Sequence, residues 1–120
     1  MAWTVASFAG RALIALLFIL AGFAKFTGPK PFLAHMAEHR VPGVLLPAVA
    51  ALELGCGLLI LIGWQGRYAA LALAGFCVAT AFVFHLNFTD HAERSLFFKD
   101  LAIAGGLLAL ACWFNAAARA

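Results

Sequence analysis

Apolar residues fill four long runs of this chain, and polar residues gather between the runs and at their ends. The runs are centred on residues 8–26, 44–64, 68–87 and 97–115. Because a helix needs about 20 largely apolar residues to cross a bilayer, each run predicts a transmembrane helix. We therefore expect an all-α membrane protein, a four-transmembrane-helix bundle that residues 1–120 form as a single domain.

The two links before and after the second run have different patterns. The sequence GPKP at residues 28–31 should end the first helix, because proline disfavours helical geometry in the preceding residue. In PFLAHMAEHR, residues 31–40, apolar side chains recur at helical spacing, which predicts a short interfacial helix between spans one and two. The GWQGRY link at residues 63–68 predicts a tight turn in which Gly66 adopts positive φ.

Composition supports the lipid bilayer as the main partner. Apolar residues make up 66% of the chain and charged residues 11%, which excludes an ordinary soluble globular domain. The net charge of +3 is scattered and forms no basic stripe, so we expect no nucleic acid binding. The small excess of Lys and Arg at one end of the predicted bundle does not fix its orientation in the membrane.

Glu53 lies within the second apolar run. A central acidic residue costs about 2.5–3.5 kcal/mol on an insertion scale, while each Leu, Ile or Val returns about 0.3–0.6 kcal/mol. Residues 44–64 contain eleven Leu, Ile and Val residues, so insertion is still favourable. Glu53 should face protein and either pair with a cation or stay protonated.

Side-chain direction indicates a partner for Glu53. The Cα–Cβ bonds of a helix lean toward its N-terminus, so Lys25 and Glu53, on spans that run in opposite directions, reach toward each other. We expect a polar intramembrane cluster that also includes His85 of span three and, at the entrance of span four, Lys99 and Asp100. Such groups can hold helices together, or they can bind a ligand and exchange protons.

Other redox and metal chemistry has less support in the sequence. Cys56, Cys77 and Cys112 form no C-x-x-C pair, so they favour packing, and we expect no covalently bound cofactor. His35 and His39 are four residues apart and could share a helix face, with His91 at the same end of the predicted bundle, which would give a weak metal site. Because interfacial histidines are commonly just solvated, we predict no metal site.

Four segments resemble the DoxX family of small four-span membrane proteins: GRALIALLFILAGFAKF, ALELGCGLLILIG, GRYAALALAGFCVATAFVFH and FFKDLAIAGGLLALA. The resemblance depends on ordered polar and glycine positions, namely Arg11, Gly22, Lys25, Glu53, Gly57, Arg67, His85, Lys99, Gly105 and Gly106. It implies a multi-pass protein of the bacterial inner membrane.

The resemblance also implies a redox context. Some DoxX relatives are membrane subunits of thiosulfate:quinone oxidoreductase, and others are assigned to redox-stress complexes. This chain departs from the pattern at Asp100, where similar sequences commonly have asparagine. It also lacks the extra domains of the larger thiosulfate-oxidising relatives, so we do not expect it to oxidise thiosulfate alone.

Two functions remain open. In the first, the protein is a membrane subunit of a redox system that binds quinone, or a similar apolar ligand, at the polar cluster. Such a subunit would work with protein partners or as a homo-oligomer and would not be catalytic alone. In the alternative, it is a non-catalytic structural or assembly subunit of a larger membrane complex. A proton-linked exporter is less favoured, because four spans leave little room without oligomerisation.

Overall fold

The computed structural model describes residues 2–86 and 89–119 as an all-helical chain, with no strand in these ranges. The helices are α1 (Ala2–Thr27), α2 (Lys30–Glu38), α3 (Leu46–Ile62), α4 (Gly66–Phe84) and α5 (His91–Arg119), with a 3₁₀ turn at Gly43–Leu45. Four helical segments are long and apolar enough to cross a membrane: α1, Gly43–Ile62, α4 and α5. The predicted spans and the short helix between spans one and two are confirmed.

Helix α5 begins well before the apolar run that predicted it. It starts at His91 rather than at residue 97. Asp90 caps it: Asp90 Oδ1 accepts a hydrogen bond from the Ala92 N–H at 2.9 Å, and the Asp90 carbonyl accepts one from the Arg94 N–H at 3.0 Å. Since a capped helix propagates through polar residues as well as apolar ones, α5 extends beyond its apolar core.

Helix α4 is shorter than its apolar run. It ends at Phe84, so the prediction that His85 lies on this span is wrong by one residue, although the His85 N–H still bonds the Ala81 carbonyl at 3.1 Å. Residue 87, the predicted end of the span, lies outside the described residues. His85 thus keeps a helix-type hydrogen bond one residue past the end of α4.

The chain divides into two compact units, Met1–Gln65 and Gly66–Ala120. In the first unit α1 and α3 are antiparallel, because Gly22 lies against Ala50 and Leu54, whereas Gly57, further along α3, lies against the earlier residue Ile19 of α1. A Cβ atom on Gly22 would come within 2.7 Å of the Leu54 nitrogen and 2.8 Å of the Ala50 carbonyl oxygen. The missing side chain thus permits close backbone approach, as is common between membrane helices.

In the second unit α4 and α5 are also antiparallel. The start of α4 meets the end of α5, where Arg67 Nη1 donates a hydrogen bond to Asn115 Oδ1 at 2.8 Å. Toward the other end, the Phe82 and Phe97 rings pack edge to face with centroids 5.4 Å apart. The single bundle predicted from the sequence stays a prediction.

The turn at residues 63–66 has positive φ at other residues than the sequence predicts. Positive φ occurs at Gly63 (82°), which ends α3 by donating its N–H to the Leu59 carbonyl at 2.9 Å, and at Gln65 (52°). Gly66 is instead the first residue of α4, and the predicted positive φ there is wrong. Gly66 lies so close to the Phe114 ring that a Cβ atom would overlap it, so the glycine is needed for packing.

Candidate functional site

Glu53 and Lys25 form an ion pair in the first unit, which confirms the predicted pairing. Lys25 Nζ lies 2.5 Å from Glu53 Oε1. Glu53 is 4% exposed, and among the described residues it is the only buried charged one. The side chain of Lys25 is 15% exposed. The Glu53 carboxylate is therefore covered by protein, and Lys25 reaches it from near the end of α1.

The pair lies beside the closest approach of α1 and α3. Gly22 and Lys25 are three positions apart on α1, as are Ala50 and Glu53 on α3. Residues at this spacing share a helix face. Since Gly22 lies against the Ala50 carbonyl, the faces that carry Lys25 and Glu53 are held together by the missing Cβ of this glycine. The close approach of the two helices brings the side chains of Lys25 and Glu53 into contact.

The interfacial helix α2 places an aromatic ring over Lys25. Lys25 Nζ lies 4.8 Å from the centroid of the Phe32 ring, a distance suited to a cation–π interaction. Met36, one turn further along α2, is buried. Helix α2 thus packs an apolar face on its unit and contributes to the surroundings of the ion pair.

A second polar group lies in the second unit and is centred on His85. Its Nδ1 is 3.1 Å from Glu93 Oε2, and its Nε2 is 3.5 Å from Asp100 Oδ2. The side chain of His85 is 12% exposed, and those of Glu93 and Asp100 are each 23% exposed. A neutral imidazole can donate a hydrogen bond to only one of these carboxylates, whereas a protonated imidazole can donate to both.

Glu93 is a site residue that the sequence analysis did not place in the cluster. Two signals in the sequence point to it. Asp90 followed three residues later by Glu93 is typical of a helix start. Glu93 and Asp100 are seven positions apart, two helical turns on one face, so one histidine can face both carboxylates.

Lys99 is exposed on α5, and within the described residues it forms no hydrogen bond or ion pair. The structure thus brings Lys25 together with Glu53, and His85 together with Asp100. The assembly of these residues and Lys99 into one cluster stays a prediction.

Arg11 contacts the C-terminal end of α3. Its Nη2 donates a hydrogen bond to the Leu61 carbonyl at 3.4 Å, and its guanidinium lies 5.2 Å from the centroid of the Phe8 ring. A cation at the last carbonyls of a helix interacts favourably with the helix dipole. Arg11 therefore anchors the C-terminal end of α3 within the first unit.

Comparison with known proteins agrees with this architecture. The family model described as DoxX matches residues 6–86, a segment that contains Lys25, Glu53 and His85. Inner membrane protein YqjF of Escherichia coli (strain K12) is 46% identical over 101 residues, which cover 84% of this chain and 78% of that protein. No solved structure matches this chain with significance. With its four apolar spans, this multi-pass protein of the bacterial inner membrane belongs to the DoxX family.

Proposed function

We propose that this protein is a membrane subunit of a redox system and that it binds quinone, or a similar apolar ligand with hydrogen-bonding oxygens, at the Lys25–Glu53 pair. The observation that carries this proposal is the burial of Glu53 against Lys25 within a membrane span. Replacing a buried ion pair by well-packed apolar residues is often neutral or stabilising. Stability alone therefore gives little reason for the pair, and intramembrane ionisable residues are functional candidates by default.

The residues around Lys25 fit the chemistry of a quinone headgroup. An ammonium carries three N–H donors, so Lys25 can hold Glu53 and also donate a hydrogen bond to a ligand carbonyl. Phe32 lies beside the ammonium, where its ring can pack against a quinone ring. Phe23 and Phe26, on other faces of α1, are 58% and 52% exposed and suit contact with an isoprenoid tail.

Protons and electrons have different sources in this proposal. Reduction of a quinone to a quinol consumes two electrons and two protons. A redox centre of a partner subunit supplies the electrons, so this chain is not catalytic alone. Glu53 is the group of this site that can hold and release a proton.

A structural function is the second candidate, and one observation favours it. The ion pair lies one helical turn from the close approach of Gly22 to α3, where a directional contact would fix the register of the two helices. A purely structural pair and a ligand-binding pair differ when both charges are removed together. The structural pair can be replaced by apolar residues, whereas the ligand site is lost.

Quinone binding to purified protein in nanodiscs tests the proposal. We would compare the native chain with Lys25→Met and Glu53→Gln at matched folded fraction, verified by helical circular dichroism. Lys30→Met, which changes an exposed lysine at the start of α2, is the matched control. We expect saturable binding that is lost in both site variants and kept in the control. Absence of saturable binding to the native chain, or binding that survives both site changes, would overturn the proposal.

A further inference from the structure

The C-terminal end of α2 carries three side chains of types that commonly bind metal ions, and they are separate from the ion pair. We infer that His35, Glu38 and His39 bind a divalent transition-metal ion of the zinc type. Each residue offers one ligand atom, and these three atoms lie within 4.8 Å of one another. From the sequence alone we expected no metal, but the placement of the Glu38 carboxylate beside both histidines points to the opposite.

The spacing of the three residues follows from helical geometry. Residues three and four positions apart lie on one helix face, and His39 is the residue that caps the C-terminal end of α2. The two imidazole rings are tilted by 60° with centroids 4.7 Å apart. His35 Nδ1 lies 3.9 Å from Glu38 Oε2. All three groups therefore face the same side of the last turn of α2.

One hydrogen bond prepares His39 as a ligand. His39 Nδ1 is 3.0 Å from the His35 carbonyl oxygen. In the tautomer that carries its proton on Nδ1, His39 donates this bond and its Nε2 bears the lone pair. Metal-binding histidines almost always donate their other ring N–H to a carbonyl or a carboxylate in this way, which fixes the tautomer and the ring orientation. The backbone of α2 thus supplies an outer-shell contact for its own ligand.

The donor set indicates the class of metal. Two imidazoles and a carboxylate suit zinc and similar first-row ions, and three protein ligands leave a further position open for water. Tetrahedral zinc with bonds of 2.0–2.1 Å requires ligand atoms about 3.3 Å apart, so the side chains must move closer. The side chains of His35 and Glu38 are 42% and 72% exposed, and they can rotate without disturbing the core.

Zinc titration of tag-free, chelator-stripped protein in nanodiscs tests this site, by calorimetry and by the visible spectrum of bound cobalt. The variants are His35→Gln, Glu38→Gln and His39→Gln. The matched control is His91→Gln, an exposed histidine on α5. We expect one zinc ion per native chain and a tetrahedral cobalt spectrum. Affinity should fall at least about tenfold in each histidine variant and stay unchanged in the control.

The thermal midpoint of unfolding provides a second readout besides affinity. Because zinc binds the folded chain, it should raise the thermal midpoint of the native protein but not that of His35→Gln or His39→Gln. The absence of stoichiometric binding would overturn the inference, as would equal affinity in the native chain and both histidine variants. The site uses neither Lys25 nor Glu53, so its failure and the failure of quinone binding are distinguishable.

Discussion

The two units place their ionisable groups in contrasting surroundings. In the first, Lys25 and Glu53 meet between two helices; Glu53 is 4% exposed and the side chain of Lys25 is 15% exposed. In the second, His85 lies just past the end of α4 between two carboxylates, with side chains that are 12–23% exposed. The carboxylate of the first unit is thus enclosed by protein, whereas the two carboxylates that face His85 are only partly covered.

This difference has energetic consequences. Removal of one member of a buried pair leaves an uncompensated charge, which is strongly destabilising. Partly exposed groups lose much less, because protein does not seal them off from their surroundings. Substitutions in the first unit should therefore change stability most, and those around His85 should change it least.

Lys25→Met should have the largest effect, because it leaves the Glu53 carboxylate buried without its cation. We expect the free energy of unfolding to fall by about 3 kcal/mol. Titration of the detergent-solubilised protein with SDS, followed by circular dichroism, measures this change. Lys30→Met is the control and should leave the free energy nearly unchanged, since Lys30 is exposed.

The double variant Lys25→Met/Glu53→Leu should recover most of the loss. It removes both charges, and an apolar replacement of a buried pair should bring the free energy of unfolding to within about 1 kcal/mol of the native value. A double variant as unstable as Lys25→Met would show that the ion pair itself stabilises the first unit, against our account.

Gly22→Ala should have the next largest effect, because its Cβ would meet the Leu54 nitrogen at 2.7 Å and force α1 away from α3. Overpacking of this kind costs roughly 1–3 kcal/mol. Gly55→Ala, on α3, is the matched control, since nothing lies within 4 Å of its new Cβ. The same SDS titration compares the two, and equal effects would contradict the close approach at Gly22.

His85→Gln should destabilise the protein by roughly 0.5–1 kcal/mol, because it removes the contact with Glu93, whose carboxylate is only partly covered by protein. Glu93→Gln should have a similar effect, measured by the same titration. If either variant lowered the free energy of unfolding as much as Lys25→Met does, the expected difference in stability effects between the two units would be wrong.

Asp100→Asn should have the smallest effect, within about 0.5 kcal/mol. Its Oδ2 is 3.5 Å from His85 Nε2, a long contact, and an amide oxygen can occupy the same position. A thermal midpoint equal to that of the native protein is the expected result, and a large decrease would show that the carboxylate charge supports the fold.

The sequence predicts the first unit better than the second. Long apolar runs indicate the spans, and the lean of side chains on antiparallel helices is enough to pair Lys25 with Glu53. The packing of Phe32 over Lys25 could not be predicted, because amphipathicity gives the apolar face of α2 but not which side chain that face meets. Only tertiary packing decides that contact.

The region around His85 was harder to predict for a local reason. The apolar run continues past Phe84, so nothing in its hydropathy marks the end of α4. The start of α5 was predictable from Asp90 and Glu93, which have the spacing of a helix cap, but the apolar core of the span obscured that signal. The cluster expected from the sequence therefore lacks Glu93, although Glu93 is the nearer of the two carboxylates that face His85.

The most direct test of the account is the quinone affinity of the double variant Lys25→Met/Glu53→Leu in nanodiscs, compared with that of the native chain. A ligand site at this pair predicts a variant that folds with nearly native stability and shows no saturable quinone binding. A stable double variant that binds quinone as tightly as the native chain would contradict the account and leave Lys25 and Glu53 as a contact between helices alone.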